Sequence, residues 1–551
     1  MLVYARILNY FRQRDRGWIL SLLAMVCLIY FPFLGNPFFF DDLGFFYGTT
    51  LYGNAAEQFK DAPFSFDLRW LPYASLGRTW LWVGEVPHLY RLVNVLLHAS
   101  SVILLFFLLR QLLSAVLQDL GKAVITRAAW FAALLFAVHP VAVYAVGYVV
   151  QRSILMATLF SLVMQIAYLQ GLLSGQKRWL VLAVVAYVLA GFSREHSVLM
   201  PAVLVAMTIM LRGNIRIGWK PLLLTLSAMA AVGVTLVLIS KGIIGSRDPV
   251  FEPMGVNSLN QLKLDANEPL HLLSILTQAG LFFKYLFLWL LPNPAWMSVD
   301  MREPFVASMN AWQGWAGAVV FMAYGALGLW LLLRRGKVSL AGLALLYPWL
   351  QFPVEFSSIR VQEIFVLYRS YLWMPGMMLL ITLILIKWSG RRILVVLGMS
   401  IILMTVFSLN RLWVFADSYR LWNDAALLLK SEQVQGADRI LYNRGTSASS
   451  SKKQGETISD LEQSVALAPQ LAPLHYALGV EYFNVTRYQD AMAQFDLALS
   501  LDPVNAQYYY AKGIIFKRLH DDRQAILQMK KSCELKNTAA CAIVGMAQAK
   551  K

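Results

Sequence analysis

Long apolar runs occupy most of the first 410 residues, at 17–35, 90–112, 127–145, 149–172, 179–192, 197–212, 221–241, 312–333, 338–354, 370–387 and 393–410. A helix rises about 1.5 Å per residue, so about 20 apolar residues match the hydrocarbon core of a bilayer. The runs predict an all-α polytopic membrane fold with eleven crossings. Five of the breaks are basic: Lys122 to Arg127, Lys177-Arg178, Arg212 to Lys220, Arg334 to Lys337 and Lys387 to Arg392. Short loops rich in Lys and Arg stay cytoplasmic, and all five can do so if the N-terminus is cytoplasmic. Arg6, Arg12, Arg14 and Arg16 precede the first run, and no small-residue cleavage site follows it. That predicts a retained signal anchor in this orientation. Residues 272–292 are also apolar, but a crossing there would carry Arg334-Arg335 and Lys387 outside. The segment is therefore predicted to be re-entrant or interfacial, which leaves the C-terminus outside.

Two outside loops are long. Residues 36–89 carry Trp70, Tyr73, Trp80 and Trp82, side chains that favour the headgroup region, and predict short helices along the membrane surface. Residues 242–271, punctuated by Gly, Pro and Asn, predict a flap over a site. After residue 410 the pattern changes. Residues 437–470, 471–504 and 505–538 align without gaps. Tyr442-Asn443-Arg444-Gly445 recurs as Tyr476-Ala477-Leu478-Gly479 and Tyr510-Ala511-Lys512-Gly513, and Ala491 and Phe495 recur as Ala525 and Met529. Small residues let paired helices approach, and Pro469 and Pro503 close their units; this is the tetratricopeptide pattern. The predicted organisation is a membrane unit over 1–410, a linker over 411–436 and an α-solenoid over 437–551, capped by 539–551. Such arrays bind extended peptides in a concave groove, which makes Tyr476 and Tyr510 candidate acceptor contacts. An oligomerisation scaffold would use the same architecture.

Composition sharpens this picture. Of 551 residues, 58% are hydrophobic and 14% charged, with a mean hydropathy of +0.56, too apolar for a wholly soluble chain. The net charge of +17 sits mainly in the membrane half, which has 31 basic against 17 acidic residues; from Arg411 onward the balance is 17 to 14. Nucleic-acid binding has no basic-aromatic motif behind it. Cys27 lies inside the first run, whereas Cys533 and Cys541 can pair in an oxidising compartment.

The candidate chemistry lies at the outside ends of the runs. Asp41-Asp42 follow the first run, and two adjacent carboxylates beside lipid are costly unless they stay wet or serve chemistry. One can act as general base while its neighbour orients it or helps to hold a divalent cation; a polar helix end in the headgroup region accounts for them equally well. Arg152, Arg194, Arg360 and Arg369 lie at the same ends, with Glu195 and Glu363 nearby. Arginine at such depths needs an acidic partner or an anionic ligand, and a lipid phosphate is one. Lys284 and Arg302 are further phosphate candidates. His139 and His196 lack metal-site spacing, and a structural role is the plainer reading of each. No Walker loop, dinucleotide fingerprint or nucleophile elbow appears in its required context, so an activated donor must arrive through the membrane.

In order, Phe40-Asp41-Asp42, the stretch Tyr90–Asn94–His98, His139-Pro140-Val141, Gln151-Arg152, Ser193-Arg194-Glu195 and Tyr368-Arg369-Ser370-Tyr371-Leu372-Trp373 resemble the transmembrane-and-tetratricopeptide O-mannosyltransferases and their bacterial relatives, of the GT-C glycosyltransferase class. The resemblance covers nearly the whole chain. It implies inverting transfer of a sugar from a polyprenyl-phosphate donor to Ser or Thr of an exported protein, such as a pilin. Asp41 or Asp42 is then the base, and Arg152, Arg194 and Arg369 hold the donor phosphate. His139, Glu195, Glu363 and Arg360 support them or bind the sugar. The family often has Lys-Glu where this chain has Arg194-Glu195, and Glu-His-Arg where it has Leu367-Tyr368-Arg369. The expected setting is a bacterial inner membrane, with site and repeats periplasmic and the acceptor protein recruited through the repeat groove. A glycolipid or cell-wall glycan acceptor is the alternative enzyme reading. A transporter or repeat-based assembly scaffold is the reading from another class.

Overall fold

The computed structural model describes residues 13–47, 68–241, 261–262, 264, 268–387, 391–430, 434–449 and 454–549. Most of the loop expected as a flap, and residues 48–67 of the first outside loop, lie outside the described residues. No β-strand occurs among the described residues. The chain divides into two compact units: Met1–Phe251, Asp265–Val299 and Phe305–Asp417 in the first, and Glu252–Leu264, Asp300–Pro304 and Ser418–Lys551 in the second.

In the membrane unit, helical segments alternate between two ends. At one end, Arg110 bonds Asp15 at 2.9 Å, Asn214 bonds the Ala115 carbonyl at 2.7 Å, the Arg216 amide bonds the Leu172 carbonyl at 2.8 Å and Arg212 bonds the Leu333 carbonyl at 2.6 Å. Basic breaks far apart in sequence thus share one end, as the charge rule requires. At the other end, Asn36 bonds the Leu412 carbonyl at 3.0 Å, and His196 lies 3.0 Å from Glu355. Its helices include Gln13–Tyr30, Pro87–Val116, Lys122–Ala137, Arg152–Ser174, Lys177–Ser193, Met200–Met210, Trp219–Ser240, Trp312–Leu332, Lys337–Gln351, Met374–Leu385 and Arg391–Val414. Among the described residues seven helical segments are long and apolar enough to cross a bilayer, or eight if the bent pair at Pro140 makes one span, against the eleven expected. Lys122–Ala137 continues as Pro140–Val146 after a 60° bend, where Pro140 cannot extend the hydrogen-bond ladder. Met200–Met210 and Met374–Leu385 are short for a crossing because each follows a 3-10 turn, Glu195–Leu199 or Leu367–Leu372, with a proline in its own first turn.

Segment 272–292 lies in the single unbroken helix Leu270–Leu290, long and apolar enough to cross a bilayer. An unbroken helix is not a re-entrant hairpin, so that part of the expectation falls. It packs along helix Trp312–Leu332, with Phe282 edge-on to Phe321 and Tyr324, and along the segment that follows Lys337–Gln351. His271 meets the Phe356 carbonyl at 2.7 Å, Gln278 the Ile364 carbonyl at 2.7 Å and Trp289 the Ser370 hydroxyl at 2.8 Å. Lys284 on this helix lies over the Phe365 ring, 5.2 Å from its centre.

The second unit stacks helix pairs Ala437–Ser449 with Gln454–Leu467, Ala472–Asn484 with Tyr488–Leu501, and Ala506–Arg518 with Asp522–Glu534, followed by Thr538–Ala549. The recurring glycine is required by the close approach within pairs: a Cβ on Gly479 would lie 2.6 Å from Phe495, and one on Gly513 would lie 2.8 Å from Met529. Cys533 and Cys541 are joined as a disulfide. The expected linker, 411–436, is partly helical: the last membrane helix runs to Val414, and Ser418–Leu427 forms a further helix. Asp300–Pro304, between two helices of the membrane unit in sequence, belongs to this unit. There Arg302 bonds Asp300 at 2.7 Å rather than standing free for a phosphate, and Arg439 reaches the same carboxylate oxygen at 2.8 Å.

Candidate functional site

Helix Pro87–Val116 anchors the non-basic end of the membrane unit. Arg91, Asn94 and His98 fall on one face at three- and four-residue spacing. Arg91 is buried and donates to the carbonyls of Leu34, Asn36 and Gly147. Asn94 donates to the carbonyls of Tyr148 and Val149 at 3.3 Å each. His98 lies 2.7 Å from the Tyr371 hydroxyl and 3.2 Å from the Ala137 carbonyl. Arg91 and Asn94 thereby hold the 34–37 loop and the 147–149 turn together.

The acidic pair begins the short helix Asp41–Tyr47 beside those segments, and the pair divides. Phe40 adopts a left-handed backbone (φ 53°) just before helix Asp41–Tyr47, a conformation costing an L-residue about 1–2 kcal/mol. Asp41 is exposed and Asp42 is fully buried. The Asp41 amide donates to the Tyr148 hydroxyl at 2.9 Å. Asp42 Oδ1 accepts from the Val150 amide at 2.8 Å, while Oδ2 has no hydrogen-bond partner among the described residues. Burial pushes the Asp42 carboxyl up to about 7, with Arg91 working in the opposite direction. The folded state thus binds this proton more tightly than the unfolded chain, whose carboxyl titrates near 4. Asp42 therefore costs stability above pH ~7, and the cost fades as pH falls toward ~4. Asp42→Asn should raise the apparent melting temperature at pH ~8, where the relief amounts to a few kcal/mol, and raise it clearly less at pH ~5. Equal shifts at both pH values in a thermal-shift assay would refute this.

Cationic groups surround the pair unevenly. Arg152 is buried, and its three nitrogens donate to Asn94, Ser75 and the Tyr90 carbonyl, each at 3.1 Å. It ties helices together through all three nitrogens. Arg369 pairs with Glu355 at 3.0 Å and Glu363 at 2.8 Å, so its charge is already met. Arg360 lies 3.2 Å from Glu355. Burial works against the Glu355 carboxylate, yet Arg369 and Arg360 hold its carboxyl well below the usual range. His196 joins this network, 3.0 Å from Glu355 and 3.5 Å from Glu195, and Glu195 takes a bidentate fork from Arg69. Glu195 and Glu363 thus meet different arginines of one network.

Arg194 differs. It is buried, and its bonds go to neutral groups, Gln151 at 2.9 Å and Ser153 at 2.7 Å; its Nε has no hydrogen-bond partner among the described residues. Its guanidinium lies over the ring of Tyr368, 5.2 Å from the centre, and that ring meets Tyr148 edge-on at 6.3 Å. Two tyrosines therefore link the segment bearing Asp41 to Arg194.

His139 is an N-cap. Its Nδ1 accepts from the Val141 amide at 3.2 Å, its Nε2 lies 3.1 Å from the Trp289 carbonyl and its ring stacks on Trp289. Both ring nitrogens are engaged within the fold. Tyr476 packs on Phe495 and Tyr508, and Tyr510 packs against the cluster of Met529, Ala540 and Val544. Both pack against neighbouring repeat helices and remain half-buried. Among the described residues, no three His, Cys, Asp or Glu side chains gather into a metal-binding set. Sequence reasoning passed over Glu355, Arg69, Arg91 and Tyr148. An acidic residue inside the apolar stretch Gln351-Phe352-Pro353-Val354-Glu355-Phe356 was a usable signal for the first.

Comparison with known proteins adds two kinds of likeness. The tetratricopeptide repeat family profile matches residues 472–505. Among solved structures, the crystal structure of MamA protein is 23% identical, covering 23% of this chain and 71% of that one at a TM-score of 0.21. The crystal structure of YrrB, a TPR protein with an unusual peptide-binding site, is 14% identical, covering 28% and 74% at a TM-score of 0.22. Over 457 residues the chain is 24% identical to Protein O-mannosyl-transferase TMTC3 of Mus musculus, an alignment that takes in 76% of this chain and 46% of that protein. The chain is thus a multi-pass helical protein with tetratricopeptide repeats, similar across most of its length to about half of a protein O-mannosyl-transferase.

Proposed function

We propose that this protein is a GT-C-type glycosyltransferase that moves a sugar from a polyprenyl-phosphate donor to a Ser or Thr hydroxyl of an exported protein, such as a pilin. The setting is a bacterial inner membrane with the site and the repeats on the periplasmic side; the Cys533–Cys541 disulfide suits such an oxidising compartment. One observation carries the reading: an exposed carboxylate, Asp41, is linked through Tyr148 and Tyr368 to a buried guanidinium, Arg194, whose own bonds go to neutral groups. A base and an unneutralised cation joined by two tyrosine rings suit displacement of a phosphate leaving group.

In the proposed reaction Asp41 takes the hydroxyl proton as the acceptor oxygen bonds to the anomeric carbon. The bond from that carbon to the phosphate oxygen breaks on the opposite face, inverting the centre, and Arg194 stabilises the charge that collects on the lipid phosphate. The Glu355 network fixes the backbone around Arg194 and Tyr368.

Purified protein would be given a panel of polyprenyl-phosphate sugars and cell-derived acceptor proteins, with intact-protein mass spectrometry reading the product. Arg194→Gln should lower kcat/KM about a hundredfold, whereas Arg152→Gln should act mainly through stability. Absence of transfer from every donor, or an Arg194→Gln enzyme as fast as wild type, would sink the proposal.

A further inference from the structure

At the end of the membrane unit opposite Asp41, helices Trp312–Leu332, Lys337–Gln351 and Met374–Leu385 border a groove of about 450 Å³. Its walls are apolar, formed in part by Leu331, Val338, Leu380 and Ile384, and Val338 and Ile384 are exposed. Lys337 and Lys387, both exposed, line it as well, and no acidic residue does. Gly336, in a left-handed turn at φ 64°, closes the hairpin between the first two helices here. The groove thus lies where helices end, at the level of lipid headgroups, on the end that gathers the basic breaks.

Two ammonium groups on one small groove repel each other, and an anion between them removes that cost. The apolar walls below ask for a hydrocarbon chain rather than a soluble anion. We propose that this groove is a binding site for an anionic glycerophospholipid, its phosphate between Lys337 and Lys387 and an acyl chain along the helix walls. A zwitterionic lipid is a poorer match, because its choline would meet the lysines. Basic pockets between membrane helices recognise anionic headgroups on this principle. The site is independent of the proposed sugar transfer, which lies at the other end.

The test is native mass spectrometry of the full-length protein, solubilised with equimolar dioleoyl-phosphatidylglycerol and dioleoyl-phosphatidylcholine. Each lysine should contribute about fivefold to anionic preference. The ratio of bound phosphatidylglycerol to phosphatidylcholine should therefore fall about twenty-five-fold in the Lys337→Gln/Lys387→Gln double variant. A control, Lys177→Gln/Arg178→Gln, removes the same charge from the same end elsewhere and should keep the wild-type ratio. An equal fall in both variants would assign the preference to the general charge of that end and overturn the site. So would a wild-type ratio near one, the signature of annular lipid only. Retention of polyprenyl phosphate over phosphatidylglycerol in a competition would give the groove to that carrier instead. Both lysines are exposed, and size-exclusion chromatography should find the variants folded.

Discussion

Asp41→Asn should abolish transfer, with kcat falling by about 10²–10⁴-fold, the usual share of a general base. Asparagine fills the same volume and keeps the backbone N–H that meets Tyr148, but it cannot take a proton from the acceptor hydroxyl. Donor binding through Arg194 is untouched, so KM for the donor should change little; the loss belongs to the chemical step. Asp42→Asn should be milder. Asp42 is buried against the Val150 amide, out of an acceptor's reach, and an asparagine oxygen can accept that same bond. Single-turnover transfer by the two variants, read by mass spectrometry, separates these roles. Loss in Asp42→Asn with near-wild-type rates in Asp41→Asn would reverse the assignment. Loss in neither would remove the carboxylate pair from the mechanism.

The division between Asp41 and Asp42 could not be read from their adjacency. In a chain of alternating apolar and polar pressure, neighbours often face opposite ways, but only the left-handed backbone of Phe40 and the pinning of its loop by Arg91 decide which carboxylate is buried. What was legible rested on periodicity. The repeat spacing follows from paired helices in contact, which is why Gly445, Gly479 and Gly513 recur. The alternation of basic breaks follows from a charge rule that acts on each loop separately. The arginines were legible as a group but not one by one, because a guanidinium at a helix end reads alike whether it ties helices together, as Arg152 does, sits between two glutamates, as Arg369 does, or has only neutral partners, as Arg194 does. That choice is made by residues distant in sequence, such as Glu355, 14 positions from Arg369 and 159 from His196. Periodicity was equally silent about the edge of the second unit, since Asp300–Pro304 carries no repeat signature.

That edge makes the largest stability prediction. Asp300 is buried and receives Arg302 at 2.7 Å and Arg439 at 2.8 Å on one oxygen. Burial pushes its carboxyl up, and the two guanidiniums overcome this, holding it below its usual range. Its contribution is therefore present above pH ~4 and lost as pH falls further, when the carboxylate takes up a proton. Beside it, Gln261 donates to Asp438 at 3.2 Å and accepts from the Gly436 amide at 2.9 Å. Gly436 is left-handed at φ 78°, and a Cβ there would collide with the Arg302 guanidinium. Asp300→Ala takes from two buried cations the carboxylate they share. Breaking a buried pair in this way costs about 3–5 kcal/mol, which raises the open population of the first repeat by a hundredfold or more. Hydrogen exchange of the full-length protein should accelerate across Ala437–Ser449 and Gln454–Leu467 and leave helix Pro87–Val116 unchanged. Gly436→Ala, which strains the same contact from the other side, should give the same pattern. Unchanged exchange in both variants would mean that the repeats carry their own N-terminal edge; acceleration confined to those two helices would make Asp300–Pro304 a working part of the solenoid, so that a fragment begun at 437 should be less stable than the same repeats in the full chain.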